Sequence, residues 1–272
     1  MSFHQKHAII TGGSSGIGKA TAKLLATAGA NITIIARSAE KLAIAKAEIE
    51  AVKLPANQKI LTQVADVSNC QDVENTIKNA VNNLGSVDIL ITSAGIAVPG
   101  YFQDLPVEIF ERTMAINYFG SLYCVRAVLP EMKQQKQGHI VLISSGAGLV
   151  GIYGYTAYSP SKFALRGLAE SLRGELKPCG IQVSIVYPPD TNTPQLEAEN
   201  KTKPPETKQI TETAKMWQPD EIAREIMIGI QKNKFAIAPG LEMTLLHRLH
   251  SLLAPGLNWY FDRIVHQTQT KE

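Results

Sequence analysis

Ala8-Ile-Ile-Thr-Gly-Gly-Ser-Ser-Gly-Ile-Gly18 decides the fold. A short apolar run feeds a glycine-rich turn, and the residues after Gly16 continue in a helical pattern. Strand, glycine turn and helix in that order form the context that a dinucleotide-binding loop requires. Glycine lets the backbone come close to a pyrophosphate, and the helix amino terminus supplies free N–H groups and a partial positive charge. The loop residues so nominated are Gly12, Ser14, Ser15, Gly16, Ile17 and Gly18. A glycine cluster on its own is also compatible with a plain tight turn; the flanking strand and helix favour the binding loop.

Outward from this loop, short apolar runs recur at 8–10, 32–36, 60–64, 89–91, 140–143, 183–186 and 235–238, with helical patterns of ten or more residues between them. Alternation of this kind predicts an α/β protein, a single-domain Rossmann-type doubly wound parallel sheet of about seven strands. Ser68-Asn-Cys-Gln71 reads as a capping box opening one helix, and Gly85 closes it. Another helix is expected from near Pro106, and a third over 158–177. The catalytic domain is expected over 1–239. Within it, 190–216 is polar and rich in Thr, Lys, Glu and Pro, which reads as a long mobile insert, a lid over a binding site. Residues 240–272 form a helical carboxyl-terminal extension.

The chain has 272 residues, 44% apolar and 19% charged, with a net charge of +3. Those values suit a soluble globular protein, and without a basic tract nucleic acid is not an expected partner. Cys70, Cys124 and Cys179 are far apart and show neither a disulfide nor a metal-ligand spacing. A reducing cytoplasm suits them and no metal is indicated. The first residues run straight into a strand pattern, so neither a signal peptide nor an amino-terminal membrane anchor is expected.

The side chain that ends the second strand selects between the two nicotinamide dinucleotides. An acid there accepts from the ribose 2′-hydroxyl, whereas an arginine accommodates a 2′-phosphate. This chain has Arg37, and Lys41 follows in the first turn of the next helix, where the macrodipole disfavours a cation unless an anion compensates. Arg37 and Lys41 with Ser14 or Ser15 form a clamp for a 2′-phosphate, which predicts NADPH/NADP as cofactor; the alternative is two solvated surface cations. Asp66, followed by Val67, is placed to receive an adenine amine or else to cap the next helix. Ser93-Ala-Gly95, with Ala94 at its centre, offers a small-residue turn where ribose and nicotinamide can lie against the backbone.

Tyr158 and Lys162 stand four residues apart in Ala157-Tyr-Ser-Pro-Ser-Lys162, so on a helix they share a face. A neighbouring ammonium is expected to lower the phenol from its usual pKa of about 10, as a general acid needs. Pro160 is harmless only in a first turn, which puts Tyr158 at the helix entrance. With eight tyrosines in the chain, the pair alone is weak, and a solvated Tyr and Lys is the plain alternative. Ser145 upstream and Asn117, a poor helix former inside a helical pattern, give it company.

Taken together, Thr11-Gly-x-x-x-Gly-x-Gly18, Asp66, Ser93-Ala-Gly95, Asn117, Ser145 and Tyr158-x-x-x-Lys162 resemble the short-chain dehydrogenase/reductase family over roughly residues 5–238. The resemblance implies hydride transfer between a nicotinamide cofactor and a carbonyl. Within it Ser145 polarises the carbonyl and Tyr158 donates the proton. Lys162 holds the nicotinamide ribose and depresses the Tyr158 pKa, and Asn117 supports a water that relays protons to the lysine. It also implies that Pro188 and Thr193 touch the cofactor, and that the chain is a homo-oligomer, dimer or tetramer, through the helices bearing Tyr158 and Asn117. Tyr187-Pro-Pro-Asp-Thr-Asn-Thr-Pro194, Glu199-Asn-Lys-Thr-Lys-Pro204, Glu206-Thr207 and Lys162-Phe-Ala-Leu-Arg-Gly-Leu-Ala-Glu170 are similar to one branch, which reduces the ketone of 3-ketosphinganine. That likeness implies a long-chain 3-keto lipid as substrate. Ser93 and Pro189 depart from the Asn and Gly that most members carry. A 3-oxoacyl thioester or hydroxysteroid-type ketone reductase shares the same catalytic set, and an NADP-sensing protein without turnover is the rival from another class.

Leu241, Leu245, Leu246, Leu249, Leu252 and Leu253 fall on one side of a predicted helix, with Thr244, His247, Arg248 and Ser251 opposite. Pro255-Gly256 is expected to break it before a second amphipathic stretch, 257–265. Two readings stand for residues 240–266: a helix pair lying peripherally on the cytoplasmic face of a membrane, or packing against the lid or a second subunit.

Overall fold

The computed structural model describes residues 2–54, 57–212 and 215–270. Residues 213 and 214 of the expected lid and 271 and 272 of the expected extension therefore lie outside the described residues. The strands are β1 (His7–Thr11), β2 (Asn31–Ala36), β3 (Ile60–Val64), β4 (Ile89–Thr92), β5 (Gly138–Ile143), β6 (Ile181–Val186) and β7 (Ala236–Ile237). All pair in parallel, in the order β3-β2-β1-β4-β5-β6-β7. The helices are α1 (Gly16–Thr27), α2 (Ala39–Glu50), α3 (Cys70–Leu84), α4 (Val107–Met114), α5 (Gly120–Gln135), α6 (Tyr158–Leu176), α7 (Pro194–Asn200), α8 (Pro205–Thr211), α9 (Pro219–Gln231) and α10 (Gly240–Gln269).

The strands are continuous apolar runs because both faces of the sheet are covered. On one face Leu90, Ile140, Leu142 and Ile185 pack with Val73 and Ile77 of α3 and with Val125, Val128 and Met132 of α5. On the other, Ile10, Ile34, Ile91 and Val141 meet Leu25 of α1 and Ile222, Ile226 and Ile230 of α9. Each fully buried aliphatic side chain contributes about 1.5–3 kcal/mol. Two histidines lie inside the sheet: His7 bonds to Thr33 Oγ1 at 2.9 Å and to the Gly85 carbonyl at 2.8 Å, and His139 Nε2 meets Ser184 Oγ at 2.7 Å. The order of the strands reverses between β1 and β4, and the crevice outside their carboxyl ends is where a doubly wound sheet binds its ligand.

Three local expectations are corrected. The cap of α3 is Asn69, whose side chain accepts from the Gln71 and Asp72 amides. Ser68, the expected cap, instead donates its hydroxyl to Asp66 at 2.7 Å, so Asp66 competes for it. The segment read as a mobile insert carries α7 and α8 and buries Glu199, Lys203, Glu206 and Thr207. Its proline-rich spacing starts helices, with prolines in their first turns. The carboxyl-terminal segment is one helix of 30 residues with Pro255 inside it; Ser251, whose carbonyl the proline leaves without a helical donor, is exposed, so water can serve instead. The face of α10 bearing Thr244 and His247 turns inward: Thr244 Oγ1 donates to Ala238 O at 3.0 Å and His247 stacks on buried Tyr187. Leu246 also packs on the core, while Leu241, Leu245, Leu249, Leu252 and Leu253 are exposed. Farther along, Ile264 is buried and Thr268 donates to Gln209 of α8 at 2.9 Å, so part of α10 packs on α8. Among the described residues no helix is long and apolar enough to cross a membrane.

Candidate active site

Six strand ends deliver the site. After β1, Gly12 adopts φ +67°, and a Cβ there would lie 2.8 Å from the Ser93 carbonyl oxygen, so only glycine lets the two turns touch. A Cβ on Gly18 would stand 2.5 Å from Gly12 O, which keeps α1 close under the loop. Arg37 follows β2, Asp66 and Val67 follow β3, Ser93-Ala-Gly95 follow β4, Ser145 lies beyond β5 and Pro188 beyond β6. Of the residues nominated from the sequence, all but Gly18 and Asn117 line one cleft.

At one end of the cleft, Ser38 caps α2 by accepting from the Lys41 amide at 3.2 Å, which aims the first turn at the loop. Arg37 and Lys41 are exposed, and neither takes part in an ion pair among the described residues. Asp66 Oδ1 accepts from both the amide and the hydroxyl of Ser68. Burial works against its charge, yet these bonds, with Arg37 and Arg112 behind them, hold its carboxyl below the usual value. A cradle closed to Cβ atoms, with two cations nearby that form no ion pair among the described residues, fits a phosphate-bearing dinucleotide.

At the other end, α6 begins at Tyr158, and Pro160 falls in its first turn, where it removes no helical bond. Tyr158 and Lys162 are both buried. The Lys162 ammonium lies 5.4 Å from the Tyr158 ring centroid and donates to Ile143 O at 3.0 Å. Ser144 Oγ donates to Lys162 O at 3.0 Å, tying α6 to the end of β5. Ser145 Oγ accepts from the Ala147 amide at 3.2 Å, opening a 3₁₀ turn, and faces the cleft.

The expected depression of the phenol is overturned. Burial, followed by the carboxylate of Glu199, pushes Tyr158 upward, although Ser145 and Gln195 approach the hydroxyl and pull the other way. The lysine moves instead, lowered by burial to about 8, with Glu199 opposing. Helical spacing placed the pair correctly and said nothing of how dry the place is.

Asn117 sits in a π-helical turn, Ala115–Phe119, between α4 and α5, an irregularity frequent at functional sites. Its Oδ1 accepts from the Ile96 amide at 2.9 Å, and its Nδ2 donates to Ile96 O at 3.0 Å and Ser161 Oγ at 2.9 Å. The amide thus clamps the turn after β4 to α6. Tyr155, Asp190, Gln195 and Glu199 are among the cleft residues not foreseen as site residues. The i,i+4 spacing of Gln195 and Glu199 puts them on one face of α7, but it does not say that this face turns inward.

Comparison with known proteins gives the site its context. The sequence model for short chain dehydrogenase matches residues 6–204. The chain belongs to the short-chain dehydrogenase family. It is 46% identical over 250 residues to a 3-ketodihydrosphingosine reductase of Bos taurus, covering 92% of this chain and 75% of the relative. A 3-dehydrosphinganine reductase of Danio rerio is 44% identical over the same shares. Among solved structures, levodione reductase superposes with a TM-score of 0.77 at 28% identity, covering 83% of this chain and 90% of the other. A short chain dehydrogenase from Mycobacterium paratuberculosis bound to NAD gives 0.74 at 27%, covering 84% and 91%. As a short-chain dehydrogenase the protein is an oxidoreductase that takes a nicotinamide cofactor and a small-molecule substrate.

Proposed function

We propose that the protein reduces a long-chain 3-keto lipid, 3-ketosphinganine to sphinganine, with NADPH. The observation that carries the reading is a single cleft with Ser145, Tyr158 and Lys162 at one end and the unpaired cations Arg37 and Lys41 at the other. The substrate is supported by the relatives' names. When bound, the dinucleotide supplies a hydride to the ketone carbon. Ser145 donates a hydrogen bond to the carbonyl oxygen and so draws charge from that carbon. Tyr158, held in its protonated form by burial, gives its proton to the oxygen as the alcohol forms. Lys162 stabilises the phenolate left behind and reaches the ribose. Asn117 holds the Ile96 turn against α6, the setting in which the family seats a proton-relaying water.

Arg37 and Lys41 would pair with a 2′-phosphate, and no acidic side chain among the described residues lines that end of the cleft except Asp66. The exposed leucines of α10, with Trp259, support peripheral contact with the cytoplasmic face of a membrane, where a long-chain substrate resides. Exposed Phe119 and Phe163, on the adjoining segments that bear Asn117 and Lys162, support a homo-oligomer through α5 and α6. NADPH consumption with 3-ketosphinganine, a 3-oxoacyl thioester and a steroid ketone tests the reading. The first substrate is expected to give the highest kcat/KM. A higher value for either rival removes the sphingoid assignment, and no consumption with any of the three favours a binding protein without turnover.

A further inference from the structure

The lid brings a buried carboxylate to the reacting hydroxyl. Glu199 of α7 is 6% exposed. Its Oε2 accepts from the Tyr155 hydroxyl at 2.6 Å and its Oε1 from Gln195 Nε2 at 2.8 Å. Both donors are neutral, and none of the ion pairs among the described residues includes Glu199. Lys162 acts on Glu199 through space, as Lys203 does on neighbouring Asp190, but neither cation is in ion-pair contact among the described residues. A charge withdrawn from water persists where an opposite charge meets it, and two neutral donors replace only part of the lost hydration.

The same two donors lead to the catalytic tyrosine. The Tyr155 and Tyr158 rings are 5.6 Å apart, and Gln195 lies between Glu199 and the Tyr158 hydroxyl. Glu199, Tyr155, Gln195 and Tyr158 therefore share one wall of the cleft. With no cation in contact with it, a carboxylate here opposes the reaction, since the phenol must become a phenolate beside it.

We infer that Glu199 is the subsite for a protonated amine on the carbon next to the ketone. This rests on the ketone reduction proposed above and adds the charge that the substrate carries. An α-amino ketone has the bond lengths of a peptide N–Cα–C=O unit, which put nitrogen and oxygen about 3 Å apart. The ammonium must then lie beside the oxygen that Tyr158 and Ser145 address, on the wall where Glu199 stands. Bound there, it neutralises the carboxylate and removes the obstacle to phenolate formation. A 3-oxoacyl thioester or a steroid ketone brings no cation and leaves Glu199 unpaired, so the residue selects among ketones that the catalytic set alone would treat alike.

Two ratios test this. One is the affinity of the NADP-loaded protein for sphinganine against N-acetylsphinganine, by calorimetry. The other is kcat/KM for 3-ketosphinganine against its desamino analogue, 1-hydroxyoctadecan-3-one. Wild type is expected to favour the amine by about 100-fold in each. In Glu199→Gln the preference should collapse, whatever happens to the rate common to both ketones, and Glu199→Asp should restore part of it. A preference that survives Glu199→Gln, or a wild type without one, overturns the inference. If sphinganine outbinds its N-acetyl derivative but 3-ketosphinganine is not reduced, the substrate reading falls and the ammonium subsite stands. Should Glu199→Gln not fold, the two wild-type ratios still decide.

Discussion

In the proposed reduction Tyr158 releases a proton from surroundings that hold it. Burial and Glu199 both raise its pKa, so at neutral pH it is the acid that a reduction needs, and the electrostatic work lies in stabilising the phenolate. Replacing it with Phe removes the proton donor and leaves the ring. Tyr158→Phe is expected to lower kcat by about 10²–10⁴-fold while NADPH still binds, as cofactor fluorescence would report; an unchanged turnover would show that the proton comes from elsewhere. The proposed participants were legible from spacing, because Tyr158 and Lys162 follow a helical repeat and Ser145 follows a strand. Their ionisation was not, because it depends first on burial and then on Glu199 of α7, and no local pattern encodes either.

At the scale of elements, α2 and α10 make the sharpest demands. The first turn of α2 presents Lys41 beside Arg37, where the helix dipole makes cations unfavourable without an anion. Arg37→Asp is expected to move the ratio of kcat/KM for NADPH over NADH downward by roughly tenfold or more, since a paired phosphate contact is worth about 1.5–3 kcal/mol. A ratio that stays put removes the clamp. On α10, Leu249 and Leu252 point to solvent. Leu249→Ser with Leu252→Ser is expected to weaken binding to phosphatidylcholine vesicles several-fold, each lost leucine contact being worth about 1.5–3 kcal/mol, without lowering the melting temperature. Unchanged vesicle sedimentation would leave the membrane contact without support. The strands were readable because two-sided burial writes them as apolar runs. Helix ends were less so: Asn69 and Ser68 are both competent caps, and the contest was settled by Asp66, two residues before Ser68, whose carboxylate takes the serine hydroxyl. Pro255 misled because an exposed helix tolerates the carbonyl that a buried one would not.

For the molecule as a whole, two histidines inside the sheet set its tolerance of acid. Burial lowers His139 to about 4 and lowers His7 as well, Gly85 and Asp88 opposing. In the unfolded chain both titrate near 6.5. As pH falls from about 6.5 the unfolded state takes up protons that the folded state refuses, so stability declines until about pH 4. His139 alone then accounts for roughly 3 kcal/mol. His139→Gln should make urea midpoints fall less steeply between pH 6.5 and 4, and an unchanged slope would show that other groups control acid unfolding.

The central strand has a further consequence, for how the chain is made. β1 gains one neighbour when residues 31–36 appear, but its other partner is β4, with Ala8 beside Ile89. During synthesis the first half of the sheet must wait, its inner edge unpaired, until about fifty more residues have left the ribosome, a delay of roughly 3–10 s at ordinary elongation rates. Nonlocal parallel pairing of this kind folds slowly and exposes an adhesive edge meanwhile. The glycine loop borders that edge, so a nascent protein has no place to bind its dinucleotide until the two halves have joined.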